Sequence, residues 1–80
     1  MVRKVNDGAK PLRVGVVGVG VMGSNHARVL ADLPGVELVG VADPEPKQRE
    51  FVQSVLGCAA FETAEALLDA GVDAAIIAAP

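Results

Sequence analysis

Three glycines at a fixed spacing are the strongest chemical signal in the sequence. Gly18, Gly20 and Gly23 match the pattern G-x-G-x-x-G. In a strand-to-helix turn the first glycine permits a tight bend, the second lets backbone approach a pyrophosphate, and the third lets the helix lie close to the strand. The amides around Val21 and Met22 would then point at the phosphates, assisted by the helix dipole. A glycine-rich turn without a ligand is the alternative.

One carboxylate follows the glycines at the separation that a ribose contact requires. Asp43 ends the apolar segment VGVAD, about twenty residues after the glycines. At the tip of a strand, a carboxylate accepts hydrogen bonds from both hydroxyls of an adenosine ribose and repels a 2′-phosphate, which favours NAD over NADP. Lys47 and Arg49 lie nearby and would partly offset that repulsion. Alternatively, Asp43 only starts a turn before Pro44.

The remaining side chains offer little chemistry. His26 shares a predicted apolar helix face with Met22 and Leu30, where a histidine is more often packed than catalytic. Cys58 is the only cysteine, so no intrachain disulfide is possible, which fits a reducing cytoplasm. No His, Cys or carboxylate cluster has metal-ligand spacing, and no serine or cysteine has a recognisable catalytic partner. We expect neither a catalytic residue nor a metal site in these 80 residues.

Strands and helices must alternate to position these residues. A Val-rich segment that is apolar on both faces is typical of a central parallel strand. The predicted strands are 13–19, 36–42, 59–61 and 74–79, and the predicted helices are 21–33, 46–56 and 63–70. The order β-α-β-α-β-α-β predicts an α/β fold, the first half of a Rossmann-type doubly wound parallel sheet with strand order 3-2-1-4.

Hydrophobic stripes predict which helix faces lie against this sheet. We expect Phe51, Val52, Val55 and Leu56 to face inward from the second helix, and Leu67 with Leu68 from the third. The fourth strand, 74–79, is the most apolar one, yet it would lie at an unpaired edge. Because natural edge strands usually carry charge, bulges or proline, we expect a missing fifth strand and a truncated chain.

The net charge and the apolar content restrict the kinds of partner that the chain can bind. A net charge of −3 argues against a nucleic-acid partner, and no apolar run approaches the ~20 residues of a membrane helix. The chain makes at most one small domain. Residues 1–11 are basic, but no apolar run follows them, so we interpret them as a mobile tail and not a signal peptide. Residues 12–80 form the predicted dinucleotide-binding part.

Residues 12–80 resemble the Gfo/Idh/MocA family of NAD(P)-dependent oxidoreductases. The resemblance is carried by GVVGVGVMGSNHARVL (Gly15–Leu30), LPGVELVGVADP (Leu33–Pro44) and DAAIIAAP (Asp73–Pro80). The continuation M-G-x-x-H-A-R, from Met22 to Arg28, is more selective than the glycines alone. It distinguishes this chain from lactate, malate and short-chain dehydrogenases.

The resemblance implies a two-domain enzyme several times longer than this chain. Such an enzyme transfers a hydride between NAD(P) and a secondary alcohol of its substrate, which is a sugar, cyclitol or nucleotide-sugar. The resemblance implies that this substrate binds against a C-terminal domain. By position, the implied cofactor contacts are Gly18, Gly20, Val21, Met22, Gly23 and Asp43, with Ala78, Ala79 and Pro80 beside the nicotinamide. The family usually has Ala-Thr-Pro there, so Ala79 replaces a threonine.

The family's catalytic Glu-Lys-Pro motif and substrate-site histidine would lie beyond residue 80. We therefore expect the parent protein to be an oxidoreductase and the 80 residues alone to be inactive. We also expect the parent protein to be a homo-oligomer. Two alternatives remain from the sequence. One is a non-catalytic domain that senses NAD, and the other is an 80-residue module that pairs with a partner through its open edge strand.

Overall fold

A computed structural model describes residues 10–18 and 20–78, and for Val21 and Met22 it describes the backbone alone. Most of the tail predicted over residues 1–11 lies outside the described residues, as do Val19, Ala79 and Pro80. Lys10 and Pro11 are exposed and lead directly into the first strand.

Four strands alternate with three helices. They are β1 Leu12–Val17, α1 Val21–Asp32, β2 Val36–Ala42, α2 Pro46–Leu56, β3 Ala59–Phe61, α3 Ala64–Asp69 and β4 Ala74–Ile77. The prediction that β1 reaches Val19 is wrong, because Gly18 adopts a φ of 85° and leaves the extended region. Among the described residues, no helix is long and apolar enough to cross a membrane.

The strands form one parallel sheet in the order β3-β2-β1-β4, as the sequence predicts. Val16 of the central strand β1 lies beside Val41 of β2 and Ile76 of β4. The carboxyl ends of all four strands therefore meet at one edge of the sheet, the edge at which ligands bind in open α/β sheets.

Local sequence signals explain where the shorter helices begin and end. Pro46 begins α2, where its fixed φ suits a first helical position, and Gly57 ends it with a φ of 69°. The Thr63 hydroxyl accepts a hydrogen bond of 3.1 Å from the amide of Ala66 and so caps α3.

The core occupies both faces of the sheet. On one face Val16 and Val41 contact Ala27 of α1 and Val52 of α2, and all four are buried. On the other face Leu67 of α3 lies directly over Gly15, where an added Cβ would come within 2.8 Å of Leu67 Cδ2. Gly15 therefore serves close helix–sheet packing.

Several predicted inward faces are wrong. His26 is exposed, because α1 meets the sheet through buried Gly23 and Ala27 instead. Leu68 is 51% exposed, whereas its neighbour Leu67 is fully buried. Sequence hydrophobicity favours large residues for the inner face of α1, but the close approach of this helix to the sheet selects small ones.

Helix α2 is also rotated from the predicted orientation. It meets the sheet through Val52 and Leu56, four residues apart, while Phe51 and Val55 are 54% and 58% exposed. Phe51 and Val55 are also four residues apart, so they form a second apolar stripe along α2 that faces away from the core.

Arg13 joins three segments at the amino-terminal edge of the sheet. Its guanidinium pairs with Glu37 of β2 at 3.0 Å and donates to the carbonyl oxygens of Gly71 and Ala70, which follow α3, at 2.7 and 3.3 Å. Its amide donates to the Asp73 carboxylate at 2.9 Å. A cation at a helix C-terminus is favourably placed, so Arg13 fixes the crossover from α3 to β4.

Replacing Arg13 with methionine should therefore lower the free energy of unfolding by about 1–2 kcal/mol, because charge-assisted bonds are lost while the aliphatic stem is kept. Urea unfolding followed by circular dichroism measures the change. Arg28→Met is the matched control, because Arg28 donates only to Asn25 within its own helix. Equal losses in the two variants would contradict a special role for Arg13.

Candidate functional site

The turn between β1 and α1 is built around Gly18. Its positive φ of 85° is a conformation that residues with a Cβ rarely adopt, and its amide donates to the carbonyl of Ala42 in β2 at 2.8 Å. Gly20 is the N-cap of α1, and the amide of Ser24 donates to its carbonyl at 2.9 Å as the first helical hydrogen bond. The chain thus passes from strand to helix within three residues.

Gly23 sets the distance between α1 and this turn. A Cβ added at Gly23 would overlap the carbonyl oxygen of Gly18, would come within 2.7 Å of that carbonyl carbon, and would lie 3.5 Å from Ala78 Cβ. The first neighbour is backbone and cannot move away cheaply. The structure therefore requires glycine at this position, as the sequence predicts for the third glycine of the motif.

Gly20 is placed differently. A Cβ added there would meet no atom within 4 Å, and its φ of −59° is open to any residue. No side chain caps the start of α1. The amides of Val21, Met22 and Gly23 precede the first helical hydrogen bond, so they have no acceptor inside the helix. Open space faces a helix N-terminus here, an arrangement that suits a phosphate group.

Asp43 follows β2 and is held by three hydrogen bonds. Its amide donates to the Phe61 carbonyl at 3.0 Å, its Oδ1 accepts from the Glu45 amide at 2.8 Å, and its carbonyl accepts from Arg49 Nη1 at 2.8 Å. Because β2 lies beside β1, Asp43 lies at the same sheet edge as the glycines. Asp43 therefore also starts the turn, as the alternative interpretation holds.

Sequence reasoning missed the contact between Arg49 and Asp43. It considered Arg49 only as a charge near the ribose position, whereas the side chain reaches back from α2 to the end of β2. A cation in the first turn of a helix is unfavourable for the helix itself. The position of Arg49 was therefore the sequence signal that this side chain has a partner outside the helix.

Ala78 completes the described part of this edge. Its amide donates to the Val17 carbonyl at 2.8 Å, which continues the pairing of β4 with β1, and its side chain lies near Gly23. The structure thus brings Gly18, Gly20, Gly23 and Ala78 together, with Asp43 at the end of the next strand. The predicted contacts at Ala79 and Pro80, and the side chains of Val21 and Met22, lie outside the described residues.

A groove of about 520 Å³ lies between α1 and α2, and only Gly20 of the predicted site residues borders it. Its α1 wall carries polar residues, and its α2 wall includes the exposed stripe of Phe51 and Val55. The lining is Gly20, Ser24, Asn25, Arg28, Lys47, Gln48, Phe51, Val52, Val55 and Leu56. Asp43 and Ala78 are not among the residues that line this groove.

The remaining reactive side chains are the acids, His26 and Cys58. Among the residues that the structure describes, no three His, Cys, Asp or Glu side chains could hold a metal ion. Cys58 is half-buried against the core, and this burial raises the pKa of its thiol despite an opposing backbone hydrogen bond. A protonated, packed thiol is a poor nucleophile.

Together, the parallel sheet and the glycine turn define a Rossmann-type dinucleotide-binding domain. A family model described as "Oxidoreductase family, NAD-binding Rossmann fold" matches residues 12–80. The chain belongs to this family, the Gfo/Idh/MocA oxidoreductases, as the sequence motifs predict. The family is defined by NAD binding on this fold, and the glycine arrangement described above fits that cofactor.

Known proteins of this family are similar to the chain over most of its length. An inositol 2-dehydrogenase from Mycolicibacterium gilvum is 39% identical over 72 residues, which cover 86% of this chain and 21% of that protein. A UDP-N-acetylglucosamine 3-dehydrogenase from Acidithiobacillus ferrooxidans is 41% identical over 69 residues, covering 86% and 21%.

A solved structure is also similar to the chain over most of its length. The scyllo-inositol dehydrogenase of Lactobacillus casei, solved with NAD(H) and scyllo-inositol, is 27% identical with a TM-score of 0.81, and the match covers 89% of this chain and 22% of that one. The chain therefore spans little more than a fifth of the length of the relatives it matches.

Replacement of Gly23 and of Gly20 by alanine should change stability to very different extents. Gly23→Ala should lower the free energy of unfolding by about 3 kcal/mol or more, because the new Cβ meets fixed backbone. Gly20→Ala should cost about 1 kcal/mol or less, because its Cβ enters open space and only the N-cap preference is lost. Chemical denaturation of both variants tests this, and similar costs would contradict the described turn.

Burial of Cys58 predicts slow modification of the folded protein. With the thiol pKa raised above its ordinary value of 9.0, the reactive thiolate is scarcer in the folded chain than in the unfolded one. The rate with a disulfide reagent at mildly alkaline pH should rise strongly on adding urea. The same shift makes folding less favourable as the pH rises through the unfolded thiol's pKa. Equal modification rates with and without urea would contradict this burial.

Proposed function

We propose that this chain is the cofactor-holding part of a longer oxidoreductase. The parent enzyme transfers a hydride between NAD and a secondary alcohol of a sugar, cyclitol or nucleotide-sugar. The single observation that carries the proposal is the β1–α1 turn, in which Gly23 lies against the Gly18 carbonyl while Gly20 leaves the helix N-terminus open. That combination suits a pyrophosphate.

Each predicted site residue has a role in this proposal. The amides of Val21 and Met22 bind the pyrophosphate, and Gly20 leaves room for it. Asp43 accepts hydrogen bonds from the adenosine ribose. Ala78, with Ala79 and Pro80 after it, lies beside the nicotinamide, because ligands occupy the crevice outside the carboxyl ends of the strands. When bound, NAD supplies the hydride acceptor, and the chain's own residues bind and orient it.

The choice of NAD over NADP depends on Asp43. A carboxylate at the ribose repels a 2′-phosphate, and Lys47 is the nearby exposed cation that would offset this repulsion. Arg49 is less available for that purpose, because its guanidinium already donates to the Asp43 carbonyl. The proposal is therefore an NAD-preferring site.

Support for the substrate class comes from relatives and not from a substrate pocket. The similar proteins named above act on inositol and on a UDP-sugar, as their names state. A proton donor or acceptor near the alcohol is needed for hydride transfer. We place that residue, and the substrate domain, in sequence beyond residue 80. A cytoplasmic location fits the single cysteine, and the expectation of a homo-oligomer rests on the family resemblance.

A second candidate function rests on β4. At the sheet edge, Ile77 is 67% exposed and Ala74 and Ala75 are also exposed. An open apolar edge suits pairing with a strand of another chain, as in a non-catalytic module. The mass of the native protein separates the two candidates. A mass several times 8.1 kDa supports the oxidoreductase, and a mass near 8.1 kDa contradicts it.

Cofactor binding provides the direct test. Isothermal titration of the protein at its native length should show NAD binding that Gly20→Ala weakens about tenfold, because the added methyl projects into the pyrophosphate position. Val29→Ala is the control, since Val29 is exposed on the same helix. Its affinity should be unchanged.

Turnover separates the parent enzyme from the chain. The native-length protein should reduce NAD with an inositol or sugar substrate, whereas the 80 residues alone should not. Absence of NAD binding in the native-length protein would refute the proposal. So would an equal loss of affinity in Gly20→Ala and Val29→Ala.

A further inference from the structure

The turn that carries Asp43 has few backbone donors. It comprises residues 43–46, Asp-Pro-Glu-Pro, and its two prolines have no amide hydrogen. Both remaining amides are in use, that of Asp43 on the Phe61 carbonyl and that of Glu45 on the Asp43 carboxylate. The turn therefore has no amide of its own for the Asp43 carbonyl, the first carbonyl after β2.

Arg49 supplies that donor. Its Nη1 lies 2.8 Å from the Asp43 carbonyl oxygen in a partly buried contact, while its own amide donates to the Glu45 carbonyl at 3.2 Å. One residue of α2 thus holds the turn at both ends. A charged donor makes a stronger hydrogen bond than a neutral one, so this contact is a strong restraint on the Asp43 carbonyl.

Helix formation does not explain an arginine at this position. The first turn of α2 contains no acidic residue, although acids are favoured there, and it carries both Lys47 and Arg49 against the helix dipole. The contact with Asp43 accounts for Arg49, whereas Lys47 is exposed at the rim of the groove between α1 and α2.

We propose that Arg49 is a positioning residue for the ribose of the adenosine moiety, which it orients through Asp43 without touching the cofactor. This inference rests on the proposed function. Three hydrogen bonds, to the amide, carbonyl and side chain of Asp43, fix the direction of its carboxylate before the ligand arrives. Without the hydrogen bond from Arg49, the Asp43 carbonyl and the adjoining backbone can adopt more than one orientation. Cofactor binding must then order this backbone again, which lowers the affinity.

Affinity measurements test the proposal in the protein at its native length. Arg49→Gln should raise the Kd for NAD about fivefold to tenfold, the size expected for one charge-assisted bond, and Arg49→Lys should recover part of the loss. Lys47→Gln is the matched control for NAD, because it removes a cation from the same helical turn without touching Asp43, and the offset assigned to Lys47 concerns a 2′-phosphate that NAD lacks. Its Kd should change less than about twofold.

Two comparisons separate positioning from a general structural defect. The effect of Arg49→Gln should largely vanish with a NAD analogue that lacks both the 2′- and the 3′-hydroxyl of the adenosine ribose, because Asp43 accepts from both in the proposed site. It should also vanish when Asp43 is already alanine, because two residues that act through one contact are not additive. Equal losses for NAD and the analogue, or additive losses with Asp43→Ala, would overturn the inference.

Hydrogen exchange in the ligand-free protein tests the role of Arg49 independently of NAD binding. Hydrogen exchange at the Glu45 amide, which donates to the Asp43 carboxylate, should accelerate in Arg49→Gln and not in Lys47→Gln. Unchanged exchange in Arg49→Gln overturns the positioning role even where NAD binds. Faster exchange with unchanged Kd overturns it as well. Failure of the unaltered protein to bind NAD refutes the proposed function, and this inference with it.

Discussion

The contact between Gly23 and the Gly18 carbonyl is the constraint on which the other features of the site depend. It brings α1 against β1 more closely than any side chain would allow. The same closeness places small residues, Gly23 and Ala27, against the sheet and turns His26 out to solvent. It also brings the helix N-terminus to the edge where β4 ends, beside Ala78. One backbone contact therefore governs both the packing of the first helix and the place where an anion would bind.

The two edges of the sheet are held by different chemistry. At the carboxyl edge, glycines and the Asp43 turn create open space with defined amides and a defined carboxylate. At the amino edge, Arg13 joins β1, β2 and the end of α3 through its side chain. The Arg13 contacts and the candidate cofactor site thus lie at opposite ends of the same strands.

Most of the fold was predictable, because its signals are local. The order of elements follows from alternating apolar segments, and Gly57 and Thr63 mark helix ends by their own conformational preferences. The three motif glycines and Asp43 were likewise identified by spacing. What sequence could not supply was orientation. The exposure of Phe51 and Val55 depends on which face of α2 lies on the sheet, and hydrophobicity alone assigns both residues to the core. The Arg49 contact was missed for a related reason, since it requires the path of the β2–α2 turn.

The exposed surface of β4 has a consequence for synthesis. Ile77 and the outer edge of this strand are uncovered when only these four strands are folded. A nascent polypeptide passes through such states as it leaves the ribosome, because N-terminal segments emerge first. An uncovered parallel edge is a template for pairing with other nascent polypeptides.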